Sequence, residues 1–220
     1  MNVFNTGLDH NFEFKFEKVC RSIMFVAKKR YAYYLGWEEG FESDKVGITG
    51  IEVVRSDTPY VCREFMRTVL DMILKKKDKQ DIDIFVLDFK KEWRRRKLIE
   101  KAIPVGVKGI KKYTSLTGQP RKGTPVHVKG AINFNHLIAK NHSHIFPIKR
   151  GEKIKWWYVK NNVVETMAML DYFPEVDKYL VDDNRMLQRL VDGKIETLYG
   201  AINWSIPTNK INSISDDLFG

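Results

Sequence analysis

Residues 12–31 read FEFKFEKVCRSIMFVAKKRY, and this stretch decides the fold class. Phe12, Phe14 and Phe16 alternate with Glu13, Lys15 and Glu17, the period-two pattern of a half-buried strand over 12–20. Ile23-Met24-Phe25-Val26-Ala27 is apolar on both faces, reads as a second, buried strand, and turns abruptly into Lys28-Lys29-Arg30-Tyr31. If the strand runs on through this tip, Lys29 and Tyr31 share one face and Lys28 and Arg30 the other. Such an end can grip a polyanion backbone from both sides; the same residues also fit a strand that is simply leaving the core. Residues 33–50 hold Gly36, Gly40, Gly47 and Gly50 among aromatics, which suits a hairpin or connector into a short strand at 51–54.

Working outward, the period changes from two to 3.6. Thr58 can cap a helix, Pro59 suits its first position, and Val61, Phe65, Val69, Met72 and Ile73 form an apolar stripe, predicting a helix to about Leu74. A second helix from about Asp81 buries Ile82, Phe85, Val86, Phe89 and Trp93, carries Arg94 to Lys97 near its end, and is stopped by Pro104. Residues 104–123 read as a glycine- and lysine-rich connection reaching toward phosphates. A helix opened by Thr124-Pro125 follows over 124–140, then a strand over 153–159, one or two short helices within 182–203, and a polar tail from 205.

The 220 residues, 43% hydrophobic and 12% aromatic, are enough for one large or two modest domains with an ordinary core. No apolar run approaches the roughly 20 residues of a spanning helix. The start lacks an export signal, so a soluble, intracellular protein is expected. Cys20 and Cys62 are too few for a disulfide framework and read as core thiols.

The net charge is +10, but it is not evenly spread: residues 75–129 carry 17 basic and 6 acidic side chains. Lys75-Lys76-Lys77, Arg94-Arg95-Arg96-Lys97, Lys108 with Lys111-Lys112, and Arg121-Lys122 with Lys129 make up the clusters. Several such runs close together are the footprint expected for a nucleic acid, because each phosphate neutralised releases condensed counterions. The carboxylates give no metal-dependent chemistry. Asp81 and Asp83 would sit on nearly opposite faces of their helix and read as solvated acids, whereas two-metal catalysis needs converging ligands. His136, His142 and His144 match no ligand spacing and read as surface histidines. No phosphate-binding loop, nucleophile elbow or dinucleotide fingerprint occurs.

Phe16 to Val19, Ile23 to Tyr31, and Gly50 to Pro59 ahead of a helix strongly resemble the end of the palm in family B DNA polymerases. Thr124-Pro125-Val126-His127-Val128-Lys129-Gly130-Ala131 is similar to that family's P-x-H-V thumb element. Gly151-Glu152-Lys153-Ile154 with Tyr158-Val159 is similar to its thumb strand, and Leu170-Asp171-Tyr172-Phe173 to its acidic-aromatic turn. The order agrees over about 15–220, and the flavour is that of tailed myovirus polymerases.

The resemblance implies an α+β chain: palm strands of an antiparallel sheet in 1–57, a mainly helical thumb with a small β element in 58–206, and a tail in 207–220. Lys28, Lys29, Arg30 and Tyr31 would lie in the minor groove at the primer terminus, Lys29 donating to acceptors common to all correct pairs and Tyr31 packing by the primer backbone. Arg121, Lys122, His127 and Lys129 would hold duplex phosphates, with Lys108, Lys111 and Lys112 as a further basic loop. Leu218 and Phe219 in the tail would plug into a sliding clamp.

The family's catalytic aspartate motifs do not occur in these residues, so the chain is expected to be inactive alone. An N-terminal catalytic subunit would supply those aspartates and hold the Mg2+, the strands at 12–31 would complete its sheet, and their apolar edge would make the lone chain poorly soluble. A start at Met1 just ahead of a strand favours a naturally split phage subunit, in the cytoplasm of the infected host, over an expressed fragment. The alternative function is a stand-alone, non-enzymatic duplex-binding protein.

Overall fold

A computed structural model describes residues 2–4, 12–51, 57–141, 145–160 and 163–207. It has the expected α+β architecture. Strands β1 (Asn2–Phe4) and β2 (Phe12–Phe14) pair as a small antiparallel ribbon. The main hairpin joins β3 (Lys18–Ala27) to β4 (Arg30–Glu38). Strands β5 (Phe41–Glu42) and β6 (Val46–Thr49) pair with successive parts of the other edge of β4, leaving β3 outermost.

The sequence pattern places one strand over 12–20 and another from Ile23. Instead, the ladder breaks at residues 15–17 and then runs unbroken through Arg21-Ser22. Bulges around Cys20 and between Phe25 and Ala27 let the strand carry these polar residues without ending. Ser22 Oγ donates to the Leu74 carbonyl at 2.5 Å, which meets one of the carbonyls left over at a helix C-terminus. The strand is also not buried on both faces: Met24 joins the core, while Ile23 and Phe25 stand in solvent. Cys20 is exposed, not a core thiol. Cys62 is buried, and burial pushes its thiol up to about 12.

Helix α1 (Tyr60–Leu74) packs its Cys62, Phe65, Met66, Val69 and Leu70 face against Met24 and Ala32 of the sheet and against α2 (Lys79–Arg95). Between the helices the Phe65 and Phe89 rings stack 4.0 Å apart. Thr58 does not cap α1. Its side chain is buried and its hydroxyl accepts from Lys194 Nζ at 3.3 Å, which takes it away from the helix. Pro104 does not end α2 either. That helix stops at Arg95, a one-turn helix α3 (Leu98–Lys101) follows, and Pro104 lies within strand β7 (Ile103–Gly106). Proline fits there because β7 is an edge strand, where a missing N–H costs no ladder bond.

β7 pairs with β8 (Lys153–Tyr158), which pairs with β9 (Thr166–Met169), a strand with four buried residues. The short helix α4 (Ile110–Tyr113) precedes α5 (Val126–Asn141), which lies across this sheet. Gly130 permits the close approach: a Cβ there would stand 2.9 Å from the Met167 carbonyl oxygen. A continuous helical run closes the chain: α6 (Asp183–Leu187), a π-helical turn at Gln188–Asp192, and α7 (Gly193–Gly200). Asp182 caps it by accepting from the Arg185 N–H. The buried Lys101 ties α3 to this run through an ion pair with Asp183 at 2.8 Å. Among the described residues no helix is long and apolar enough to cross a membrane.

Candidate nucleic-acid interface

Ala27 pairs with Arg30, so Lys28 and Lys29 alone form the hairpin loop. Lys29 adopts a left-handed φ of 61°. Two-residue hairpins need such backbone and favour Asn-Gly for it, so a lysine here costs roughly 1–2 kcal/mol that the surroundings must offset. Gly50 is one such support. At φ 66° it runs beneath the turn so closely that a Cβ would lie 2.2 Å from the Lys29 carbonyl oxygen. Lys28, Lys29 and Arg30 are all exposed. Lys29 therefore belongs to the turn and not to a strand shared with Tyr31, which corrects the alternation expected through this tip.

Tyr31, the second residue of β4, lies on the sheet face turned away from the core. Its ring centroid lies 6.0 Å from that of Phe25 and 6.1 Å from that of Tyr33, and the Lys18 ammonium sits 5.9 Å above the Tyr33 ring. Gly47 makes room for this row: a Cβ would overlap the Tyr33 ring at 2.2 Å. A cationic tip thus stands beside a partly open aromatic row, a combination that suits phosphates on one side and base or apolar surface on the other.

The thumb-side candidates do not form one patch. Lys108, Lys111 and Lys112 are exposed around α4, whose entry uses Gly109 at φ 78°. The connection at 104–123 is not loose: Thr114 bridges Pro120, Arg121 Nε donates to the Thr114 carbonyl, and Gln119 reaches His136 at 3.0 Å. Arg121 and Lys122 project from this pinned loop into solvent. On α5, Lys129 pairs with Glu165 at 2.9 Å, and Arg185 pairs with the other Glu165 oxygen at the same distance. Much of the basic segment is similarly engaged, since Lys75, Lys79, Lys90 and Lys101 pair with Asp71, Asp83, Asp192 and Asp183.

His127 faces elsewhere, into a cleft of about 500 Å³ that it lines with Asp57, Thr58, Trp156, Arg189 and Lys194. Burial, and then the Arg189 charge, hold its pKa below the usual histidine value. Arg189 and Lys194 escaped the sequence reading because residues 182–200 hold three basic and four acidic side chains, with no charge run to notice.

Asp83 is not simply solvated: it accepts from Lys79 and from the Tyr199 hydroxyl, while Asp81 is exposed. Among the described residues no three His, Cys, Asp or Glu side chains gather as a metal site requires. His142, His144, Leu218 and Phe219 lie outside the described residues, as do 52–56 within the expected strand and domain junction.

The structure is thus a sheet with an exposed cationic turn, packed on a mainly helical body that has its own small sheet. Residues 1–176 match the family described as DNA polymerase family B, and the chain belongs to that family. A DNA polymerase of Paramecium bursaria Chlorella virus NY2A is 38% identical over 66 residues. That alignment covers 30% of this chain and 7% of that polymerase, so the chain matches only a small part of this relative.

Proposed function

We propose that this chain is the end of the palm and the thumb of a replicative DNA-directed DNA polymerase of tailed-phage type. It grips primer–template duplex during synthesis while a separate N-terminal chain supplies the catalytic aspartates and the Mg2+ they hold. The observation that carries this reading is the strained Lys28-Lys29 turn, propped by Gly50, beside Tyr31 on an open sheet face. In this role Lys29 senses pair geometry in the minor groove through acceptors that every correct pair offers, Lys28 and Arg30 flank it, and Tyr31 stacks near the primer terminus. Arg121, Lys122, His127 and Lys129 of the thumb hold the product duplex by its phosphates, with Lys108, Lys111 and Lys112 adding reach. Lys129 must share itself between DNA and Glu165. Leu218 and Phe219 tether the assembly to a sliding clamp.

The same geometry supports the catalytic partner. Edge strand β3 exposes Val19, Ile23 and Phe25, with Phe16 just before it, and an apolar edge of this kind invites another chain. The test mixes the full chain with the N-terminal polymerase chain, primed template, deoxynucleotides and Mg2+. Primer extension requiring both chains is the expected result; extension by the partner alone, unchanged on adding this chain, overturns the proposal. A stand-alone duplex-binding protein would bind primed template without rescuing synthesis.

A further inference from the structure

Helix α2 has a second face that the core does not use. Its buried stripe runs through Ile82, Val86, Phe89 and Trp93, yet Ile84 is 53% exposed and Leu87 only half-buried. These two residues, with Leu187 of α6, floor a groove of about 760 Å³ between α2 and the closing helical run. Four basic side chains line it, Lys90, Lys91, Arg94 and Arg185, against two acids, Asp88 and Asp192. Lys90 pairs with Asp192, Lys91 reaches Asp88 only as an exposed pair at 3.5 Å, and Arg185 is held by Glu165. Arg94 is exposed, and no carboxylate engages it among the described residues. On the opposite wall Asn184 and Gln188 are exposed amides whose side chains make no hydrogen bond among the described residues.

An apolar floor under a positive rim, faced by free amides, suits an acidic peptide that also carries apolar side chains. Its carboxylates meet Arg94 and Lys91, its backbone meets the amides, and its apolar groups cover Ile84 and Leu87. The chain's own residues Ile214-Ser215-Asp216-Asp217-Leu218-Phe219 have that chemistry, and they lie outside the described residues. The chain leading to them is anchored beside the groove. The Tyr199 hydroxyl donates to Asp83 Oδ1 at 2.8 Å, one residue before Ile84, and Trp204 packs edge-on against Tyr199 with ring centroids 5.5 Å apart. The eleven residues 208–218 can extend over roughly 36 Å, whereas α2 from Ile84 to Arg94 is roughly 15 Å long, so the reach of the tail exceeds the length of the groove.

We propose that residues 214–219 dock in the α2–α6 groove of the same chain, with Asp216 and Asp217 against Arg94 and Lys91, and Leu218 and Phe219 on Ile84 and Leu87. The docking itself does not depend on the polymerase reading. Where that reading holds, the groove and the sliding clamp compete for Leu218 and Phe219, so the tail of the free chain is masked and the clamp must displace it.

The experiment is fluorescence anisotropy of a labelled peptide of residues 208–220, titrated with the full chain and with the chain truncated after Ser213. The truncated chain should bind the peptide. The full chain should bind it at least about tenfold more weakly, because a tethered segment occupies its site at an effective concentration on the order of millimolar. On the truncated chain, Lys91→Glu with Arg94→Glu should abolish binding, while Arg94→Lys, which keeps the charge, should retain most of it and guards against a folding defect. The same charge reversal at exposed Lys149 and Lys153 should leave binding as it was. In the peptide, Asp216→Asn with Asp217→Asn, and Leu218→Ala with Phe219→Ala, should each weaken binding severalfold. Equal binding to the full and truncated chains, or to the truncated chain and its Lys91/Arg94 variant, overturns the proposal. So does a dimer of the full chain in analytical ultracentrifugation that truncation dissolves, since the tail would then sit on a second copy. Weaker duplex binding by the Lys91/Arg94 variant with peptide binding intact would make the groove a nucleic-acid surface and overturn it as well. Each of these failures leaves the polymerase reading standing, which primer extension with the N-terminal chain tests separately.

Discussion

The hairpin sheet and the helical body differ in how completely each one satisfies itself. In the body, Trp93, Trp156, Trp157 and Tyr199 are fully buried, and the Trp157 indole donates to the Tyr179 carbonyl at 2.8 Å. In the sheet, one face packs on α1 while the other leaves Phe25 65% exposed, Phe16 just ahead of β3 is 85% exposed, and β3 is unpaired along its outer edge among the described residues. A self-contained core resists disturbance, whereas a sheet finished on one face depends on something else to cover it. The difference teaches where closure and openness separate: the body is closed on itself, whereas the sheet leaves its strained turn and one face open.

The largest effect that would test this separation is at Trp157. Replacing it with Ala should cost about 3–5 kcal/mol in urea unfolding, through lost burial and the cavity left behind. Phe25→Ala, measured alongside, should stay within about 0.5 kcal/mol, as expected for an exposed position. Equal losses would break the contrast. Next comes Gly50→Ala, which sets a Cβ against the Lys29 carbonyl and forces a left-handed φ on a residue that resists it. A local penalty of about 1–3 kcal/mol is expected. Amide exchange should accelerate at residues 27–31, and duplex binding should fall, while α1 and α2 amides keep their protection. Acceleration throughout the helices would mean that the turn is not separable from the body.

The smallest effect concerns Glu165, whose hydrogen bonds from Lys129 and Arg185 hold its carboxyl below the usual carboxylate pKa. A depressed folded-state pKa gives stability that is present above the unfolded value near 4.5 and is lost as pH falls through the lower folded value. Glu165→Gln should therefore lower stability at pH 7, by no more than about 1 kcal/mol given the solvent screening of a group 38% exposed, and the difference should vanish in acid. A deficit that persists at pH 3 would show that Glu165 acts by packing and not by charge.

The long amphipathic helices were legible in the sequence because their stripes are strongly periodic: α1 and α5 fall within a few residues of the expected spans, and α2 starts close to its expected position although it ends at Arg95, well before Pro104. Three kinds of feature were not. Bulges in β3 carried a polar pair through a strand that a simple alternation would have ended. Strand β9 is a short run, Thr166-Met167-Ala168-Met169, whose pairing with β8 has no local signal beyond apolarity. Thr58 and Pro59 formed a plausible cap, but the Lys194 ammonium competed for the hydroxyl from far along the chain.

For the candidate interface the division is sharper. Sequence by itself determined the residue types: a lysine-rich tip following an apolar strand, aromatics after it, the motif order that places the chain in its family, and a basic excess in the middle third. Tertiary structure decided which charges are available. Pairing with acids distant in the chain engages Lys90, Lys101 and Lys129, while the hairpin turn leaves Lys28, Lys29 and Arg30 exposed. The reason is physical: composition fixes how many charges a segment carries, but whether a charge is spent on a neighbour or left for a ligand depends on distances of a few ångströms that only the packed chain sets.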